Sequence, residues 1–497
     1  MTGALMFQGT GSDVGKSVLV AGLCRLLANR GLRVAPFKAQ NMSLNSFVTR
    51  DGKEMGRAQV LQAQACREKP DVRMNPILLK PTTDIGSQVI VRGEPTENMS
   101  AEEYTRRKSS LFPVVEECYD SLAAEYDAIV LEGAGSPSEI NLKEHDIVNM
   151  RMARRADAPV LLTGDIDRGG GFASFVGTME LLEKWERDLV KGFIINRFRG
   201  DASLLDPALD YTERHTGTSV LGVVPHLDGL NLPDEDSVGF KSGGYGKQTD
   251  EEAEGVTLAV IDLPHISNFT DFDAFRMEPD VQVHIARSPE DLDGADAVFI
   301  PGSKNVLSDL EWMEDSGLAG AIRRAARRAE TEVVGLCAGL QMLGRHIEDP
   351  HGIESDRGNH GGLDVLAVRT VLAPSKTLTQ VEGSHEPSGL GVRGYEIHHG
   401  QTEVLDRSLE PAVTRDDGSS LGYRSLDRPV WGSYVHGIFD ADRFRRWFID
   451  RLRERAGLAP RGEVAACYNL EPALNRLAAV VRERLDMDKV YDAMGLA

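Results

Sequence analysis

The chain is poor in cysteine and aromatic residues, has no long apolar run, and carries no excess of positive charge. The five cysteines, Cys24, Cys66, Cys118, Cys337 and Cys467, are odd in number, scattered, and contain no CxxC pair. That excludes a disulfide framework or a zinc ribbon and fits a reducing, cytoplasmic setting. Aromatics are 6% of 497 residues against 41% hydrophobic residues, a balance suited to a soluble α/β protein. No apolar run approaches the ~20 residues of a spanning helix. The first residues lack a basic stretch followed by an apolar core, so no signal peptide is expected. With 77 acidic and 56 basic residues the formal net charge is -21. Such a balance argues against nucleic acid as the main partner and reads as solubilising surface.

What is present alternates between apolar runs and amphipathic stretches. "GALMFQG" predicts a strand, "KSVLVAGLCRLLANRG" a helix stopped by Gly31, and "LRVAPFK" the next strand. "YDAIVLEGAG", "APVLLTGDID" and "VKGFIINRF" read as buried parallel strands that carry ligand groups at their C-terminal ends. A polar, acidic, glycine-rich stretch at 234–255 reads as a linker. A second α/β series follows in "VTLAVIDLP", "ADAVFIPGSKN" and "TEVVGLCAG", with further strands in "GYEIHHG" and "PVWGSYVHGIF". The expected division is therefore 1–233, linker 234–255, 256–440, and a helical segment 441–497.

"GTGSDVGKS" lies between a strand and a helix, the context a phosphate loop needs. Five residues separate Gly9 from Gly15, where four are usual. Backbone N–H groups from Gly11 to Gly15 face the anion, Lys16 adds a cation, and the Ser17 hydroxyl can hold Mg²⁺. Glu132, ending "AIVLE", and Asp13, inside the loop, are candidate metal carboxylates. Asp165, ending "VLLTGD", is another, and any one of the three could instead cap a helix. Lys38 ends "VAPFK" at the same strand edge and could neutralise a transferring phosphoryl group, unless it is a surface lysine.

These motifs resemble the dethiobiotin synthetase class of ATP-dependent carboxylate-activating enzymes, which form an acyl phosphate that nitrogen then attacks. "PFKAQNMSLNS", "LEGAGSPSEINL", "DIDRGG" and "INRFRGD" narrow the resemblance to the cobyric acid synthases (CobQ/CbiP type), amidase-ligases of the cobalamin pathway, over essentially the whole chain. By that resemblance Gln40, Asn41, Ser43 and Asn45 lie near a corrinoid carboxylate and Asn196 near the adenine. ATP and Mg²⁺ are the implied cofactors.

"GLCAGLQMLG" places Cys337 between small residues, after a strand and before a helix. G-x-C-x-G in that context is a nucleophile elbow, where the turn projects the side chain and the helix N-terminus favours the thiolate. His436 in "SYVHGIF" is the candidate base. The N–H of Ala338 and that of Gly302 or Ser303 are candidate oxyanion donors. The other four cysteines read as core residues. Together these features resemble a class I glutamine amidotransferase domain, in which Cys attacks the glutamine amide and ammonia leaves. Ile438 stands where most such enzymes carry the Glu of H-x-E, as in the cobyrinic and cobyric acid synthase subset. The group that orients His436 is thus open, a backbone carbonyl being one candidate. Glu396, His398 and His399 of "GYEIHHG" could serve function or only structural hydrogen bonding.

The resemblance implies glutamine- and ATP-dependent conversion of adenosylcobyrinic acid a,c-diamide to adenosylcobyric acid, by amidation at the b, d, e and g side chains. Glutamine and a corrinoid are the implied small-molecule partners, with no nucleic acid and no membrane; the oligomeric state is left open, a homo-oligomer included. Cobyrinic acid a,c-diamide synthase, with the same two-domain plan, is the nearest rival, and a P-loop ATPase switch a more distant one.

Overall fold

A computed structural model describes residues 2–83, 86–233, 254–354 and 358–496. The chain forms two units. One comprises the residues up to Ser43 together with Met55–Leu232 and Leu470 onward; the other comprises Leu44–Glu54 and Pro233–Asn469.

In the first unit, six parallel strands run in the order Val220–Pro225, Val190–Phe198, Val160–Asp165, Gly3–Gly9, Ala128–Glu132, Val34–Phe37. Gly3–Gly9 is buried along its whole length, as expected of a strand covered on both faces. Its register, Met6 opposite both Val160 and Leu131, aligns the C-terminal ends of three neighbours. The loop after Gly9, Glu132 and Asp165 therefore share one edge, the usual ligand edge of such sheets. The helix Lys16–Asn29 follows the loop and buries Leu19, Val20, Leu23, Cys24 and Leu27. A smaller sheet of Gln40–Met42, Ile77–Thr83, Gly86–Val91 and Glu94–Ser100 completes this unit.

In the second unit, Val281–Ala286, Val256–Ile261, Ala297–Ile300, Glu332–Leu336 and Val430–Ser433 are successive parallel strands. Antiparallel strands continue the sheet from Val430–Ser433, through Ser420–Ser425 and Leu409–Arg415 to the long pair Val368–His385 and Leu390–Val404. Its core gathers Phe275, Phe299, Trp431, Phe439, Phe444 and Phe448.

The structure divides the chain differently from the sequence expectation. The linker expected at 234–255 lies outside the described residues except for its last two. The segment 441–497 is not one module. Its first helix, Asp442–Arg455, belongs to the second unit, where Arg445 and Arg446, both buried, bond Glu278 at 2.8 and 3.2 Å. Its later helix, Glu471–Arg484, belongs to the first. There Leu474, Leu477 and Val481 join the core cluster of Leu19, Leu23 and Leu27. The guanidinium of the fully buried Arg25 grips Glu471 at both nitrogens, at 2.6 and 2.8 Å. Neither long-range pairing leaves a trace in local sequence.

Leu477 is fully buried against this first-unit core. Leu477→Ala is expected to cost about 2–5 kcal/mol, the usual range for emptying a packed leucine site. A downward shift of the first unit's urea midpoint would measure it; an unchanged midpoint would show that the helix Glu471–Arg484 does not stabilise that unit.

Candidate functional site

The first unit's site is built around one carboxylate. Glu132 ends its strand almost fully buried. Its Oε1 accepts from Ser17 Oγ at 2.8 Å and Lys38 Nζ at 2.7 Å, and its Oε2 from Gln62 Nε2 at 2.5 Å. A buried carboxylate needs such partners, because desolvation of an isolated charge costs more than any single contact returns. The surface-lysine alternative for Lys38 is excluded by its 4% exposure.

The loop itself is held in shape from within. Gly15 has φ 90°, in the left-handed region that favours glycine. A Cβ there would lie 2.1 Å from Asn196 Nδ2, which donates to Val14 O at 2.8 Å. Asn196, expected at the adenine, thus braces the loop from below. Lys16 Nζ donates to Gly11 O at 3.0 Å and Gly135 O at 3.3 Å. Asp13 departs from expectation. It stands not with Ser17 and Glu132 but with Arg197, 2.8 Å away, and Arg168. Two guanidiniums already neutralise it, which removes the reason for it to bind a cation. Asp165 shares Arg197 at 2.9 Å and accepts from the Asp167 N–H at 2.8 Å, so it closes a turn.

Magnesium takes oxygen ligands and is usually held by one or two carboxylates plus substrate phosphates. Ser17 and Glu132 form that kind of donor set, so the residues fit the ion. Among the described residues no group of three or more His, Cys, Asp or Glu is arranged to hold a metal. Nearby, Gln40 Oε1 accepts from Tyr104 OH at 2.7 Å, and Asn41 Nδ2 donates to Gln59 Oε1 at 2.9 Å. Ser43 is buried and belongs to this unit, whereas Asn45 belongs to the other. Sequence reasoning missed Gln59 and Gln62. The signal was present, since glutamines three residues apart share one helical face, but a polar face ordinarily reads as solvent-exposed. Both are fully buried.

The second unit's site centres on Cys337. Its backbone sits at φ 51°, ψ -105°, a conformation that a non-glycine residue holds only under constraint. The flanking glycines supply the room. A Cβ on Gly339 would lie 2.0 Å from Ile300 O, and one on Gly335 would lie 2.5 Å from Gly339. Cys337 is buried, and its thiol points at Ile397 O, 3.7 Å away. Ala338 opens the following helix, where an N–H has no intrahelical acceptor. Gly302 pairs with Ser267, and its Cβ position lies 3.1 Å from His436 Cε1.

His436 is 1% exposed, with Nδ1 2.7 Å from Asp271 Oδ2. The same carboxylate accepts from the Gly437 N–H at 2.8 Å. A carboxylate only accepts, so Nδ1 carries a proton and the other ring nitrogen serves the thiol. Burial opposes the imidazolium, but Asp271 and Cys337 outweigh it and push His436 up to about 10. The open orienting group is thus a side chain, Asp271, and not a backbone carbonyl. Sequence reasoning had no means to find it, because it lies 165 residues away on the short turn Phe269–Phe272. His398 bonds Gly400 O at 2.8 Å and Glu396 at 3.2 Å, and its ring stacks on Tyr434. His399 bonds Ala373 O at 3.0 Å, and burial helped by Lys304 lowers it to about 4. Structural hydrogen bonding accounts for the His398 ring, whereas His399 Nε2 is buried without a hydrogen-bond partner.

Residues 5–237 match the family model described as the CobQ/CobB/MinD/ParA nucleotide binding domain, and residues 257–444 that of the CobB/CobQ-like glutamine amidotransferase domain. A cobyric acid synthase from Nitratidesulfovibrio vulgaris is 52% identical, over 100% of this chain and 98% of its own length. One from Salmonella heidelberg is 49% identical, over 99% of each chain. The adenosylcobalamin biosynthesis bifunctional protein CobDQ of Leptospira interrogans is 50% identical over 100% of this chain and 57% of its own. The fold is thus a P-loop nucleotide-binding domain followed by a class I glutamine amidotransferase domain, both α/β.

Asp271→Asn removes the charge that holds His436 protonated. Glutamine hydrolysis is expected to fall by about 10²–10⁴-fold, the usual contribution of a positioned acid–base group. The sign for pH follows from the raised value. The imidazolium persists until the pH passes about 10, and without Asp271 it is lost at lower pH. The alkaline limb of the hydrolysis profile should therefore move down; a limb that stays in place would reject the assignment.

Proposed function

The chain belongs to the cobyric acid synthase family, glutamine-dependent amidating ligases of cobalamin biosynthesis, and from that premise we propose that Cys337 and Lys16 head two successive half-reactions. The observation that carries the first is the Asp271–His436 pair beside a thiol on a strained elbow. The Cys337 thiolate attacks the side-chain amide carbon of glutamine. The N–H groups of Ala338 and Gly302 receive the developing oxyanion. His436, charged through Asp271, gives its proton to the departing ammonia. Once neutral, it takes a proton from the water that hydrolyses the glutamyl thioester.

The second half-reaction activates a carboxylate with ATP. Lys16 and Lys38 place two cations at the sheet edge, where charge shifts from the transferring γ-phosphoryl to the leaving nucleotide. Ser17 and Glu132 would hold Mg²⁺, which supplies neutralisation of the phosphates when bound. Gln62 keeps Glu132 Oε2 fixed while Oε1 serves Ser17 and Lys38. Ammonia then displaces phosphate from the acyl phosphate to give the amide. Gln40, Asn41 and Ser43 are proposed to face the substrate carboxylate.

The substrate in this reading is adenosylcobyrinic acid a,c-diamide, amidated at its b, d, e and g side chains to adenosylcobyric acid. Near-full-length likeness to cobyric acid synthases supports it over a,c-diamide synthesis. The Cys337, His436 and Asp271 cluster favours it over a P-loop switch, which has no use for a nucleophilic thiol. Among the described residues no helix is long and apolar enough to cross a membrane.

Cys337→Ala is expected to lose all glutamine-dependent synthesis and to keep synthesis from ammonium salt at high pH. Mass spectrometry of the corrinoid checks both, since each carboxylate-to-amide step changes the mass by a fixed increment. A folded, ATP-binding variant that is dead with saturating ammonia would place the thiol in ligation itself. Lys16→Ala should lower ligation by about 10²–10³-fold with either nitrogen source, in line with the loss of one transition-state charge partner. Near-wild-type product from this variant would reject the loop as the phosphate site. Glu132→Gln should raise the Mg²⁺ concentration needed for half-maximal ligation, and an unchanged metal titration with unchanged turnover would return Glu132 to a structural role.

A further inference from the structure

The chain leaves the first unit after Ser43, spends Leu44–Glu54 in the second, and returns at Met55. A short excursion of this kind costs chain entropy and needs a local reason. Within the second unit, the excursion meets the surroundings of His436 on two sides, and Ser46 makes a hydrogen bond on each. The Ser46 N–H donates to Asn268 Oδ1 at 2.9 Å. The Ser46 carbonyl accepts from Tyr395 OH at 3.0 Å.

Each contact leads to the imidazole by one further step. Asn268 has φ 53° and opens the turn Phe269–Phe272; its carbonyl accepts from the Asp271 N–H at 3.0 Å. Asp271 in turn grips His436 Nδ1 and the Gly437 N–H. On the other side, the Tyr395 ring stacks on His436 with centroids 5.4 Å apart and planes 27° apart. The two backbones exchange hydrogen bonds of 3.1 and 2.9 Å. Phe47 packs its edge against the same tyrosine at 5.0 Å, and Val48 and Ile397 close the cluster. Ile397 is the residue whose carbonyl faces the Cys337 thiol. A buried ion pair between Glu54 and Lys376, at 2.6 Å, pins the far end of the excursion.

We infer that Leu44–Glu54 is a brace that sets the position of His436, with Asn268 and Tyr395 as positioning residues that act through Asp271 and through the face of the ring. The inference rests on reading Cys337 and His436 as the glutaminase pair. Neither positioning residue touches the glutamine carbon; each restricts where the imidazole nitrogen can stand relative to the thiol. Misplacement of a catalytic group by a fraction of an ångström slows chemistry more than it weakens substrate binding, so the brace should act on kcat.

The test uses the full-length protein with glutamine, and rates are normalised to the fraction of Cys337 alkylated by iodoacetamide, read by mass spectrometry on the peptide that carries it, because Cys467 is exposed as well. Asn268→Gly keeps the left-handed backbone and removes the acceptor; Tyr395→Phe keeps the ring and removes the hydroxyl. Each is expected to lower kcat by about tenfold with KM within about twofold, as loss of positioning predicts. Asn268→Gly should also move the alkaline limb of the pH profile downward, because Asp271 is then less firmly held. Because both residues act through Ser46, the double variant should be no slower than the slower single variant, where independent sites would multiply. Wild-type kcat and pH limb in both single variants would overturn the brace, as would a fall in titratable Cys337 with kcat per titrated site unchanged. Failure of the underlying reading shows separately, as glutamine hydrolysis that survives in Cys337→Ala.

Discussion

A carboxylate withdrawn from water must be given cations or donors, and this requirement organises both units. Glu132 is surrounded by Lys38, Ser17 and Gln62, and Asp271 by His436 and the Gly437 N–H. In each case the partners that stabilise the buried charge include a group to which the proposed reaction gives a role. Removing one partner would leave an uncompensated charge and cost stability as well as activity. The same rule fixes the helix Asp442–Arg455. There Glu278 and Asp280, fully or almost fully buried, are matched by Arg445, Arg446 and Arg453.

Backbone geometry does the complementary work of aiming. The elbow at Cys337 and the loop at Gly15 both use positive-φ backbone, which Cys337 holds against its preference and glycine accepts readily at Gly15. Both are held by close approach: Gly339 against Ile300 O, and Gly15 against the Asn196 amide. Any side chain at Gly339 would separate the helix from the neighbouring strand and swing the thiol with it. The constraint makes the helix N-terminus, the Cys337 thiol and the strand end a rigid set, the kind of pre-organisation that the proposed acyl transfer would depend on. His398 shows the opposite case, a conspicuous residue whose two ring nitrogens are spent on hydrogen bonds within the strand Leu390–Val404.

The sequence by itself determined what is written in contiguous residues. The strand–loop–helix around Lys16, the strand-end Glu132 and the G-x-C-x-G elbow were legible, because a few neighbouring residues satisfy their own geometric conditions. The alternation of buried strands and helices was legible for the same reason. The tertiary structure alone decided the rest. Asp271 reaches His436 across 165 positions, and Arg25 reaches Glu471 across 446. The excursion Leu44–Glu54 and the splitting of the last helices between units follow from burial against distant surfaces. The buried face of Gln59 and Gln62, and the capture of Asp13 by two arginines, depend on which charges fold to the same edge. Local pattern carries periodicity and turn chemistry. Which carboxylate meets which cation is settled only when remote segments share one dry space, where an unpaired charge is too costly to persist.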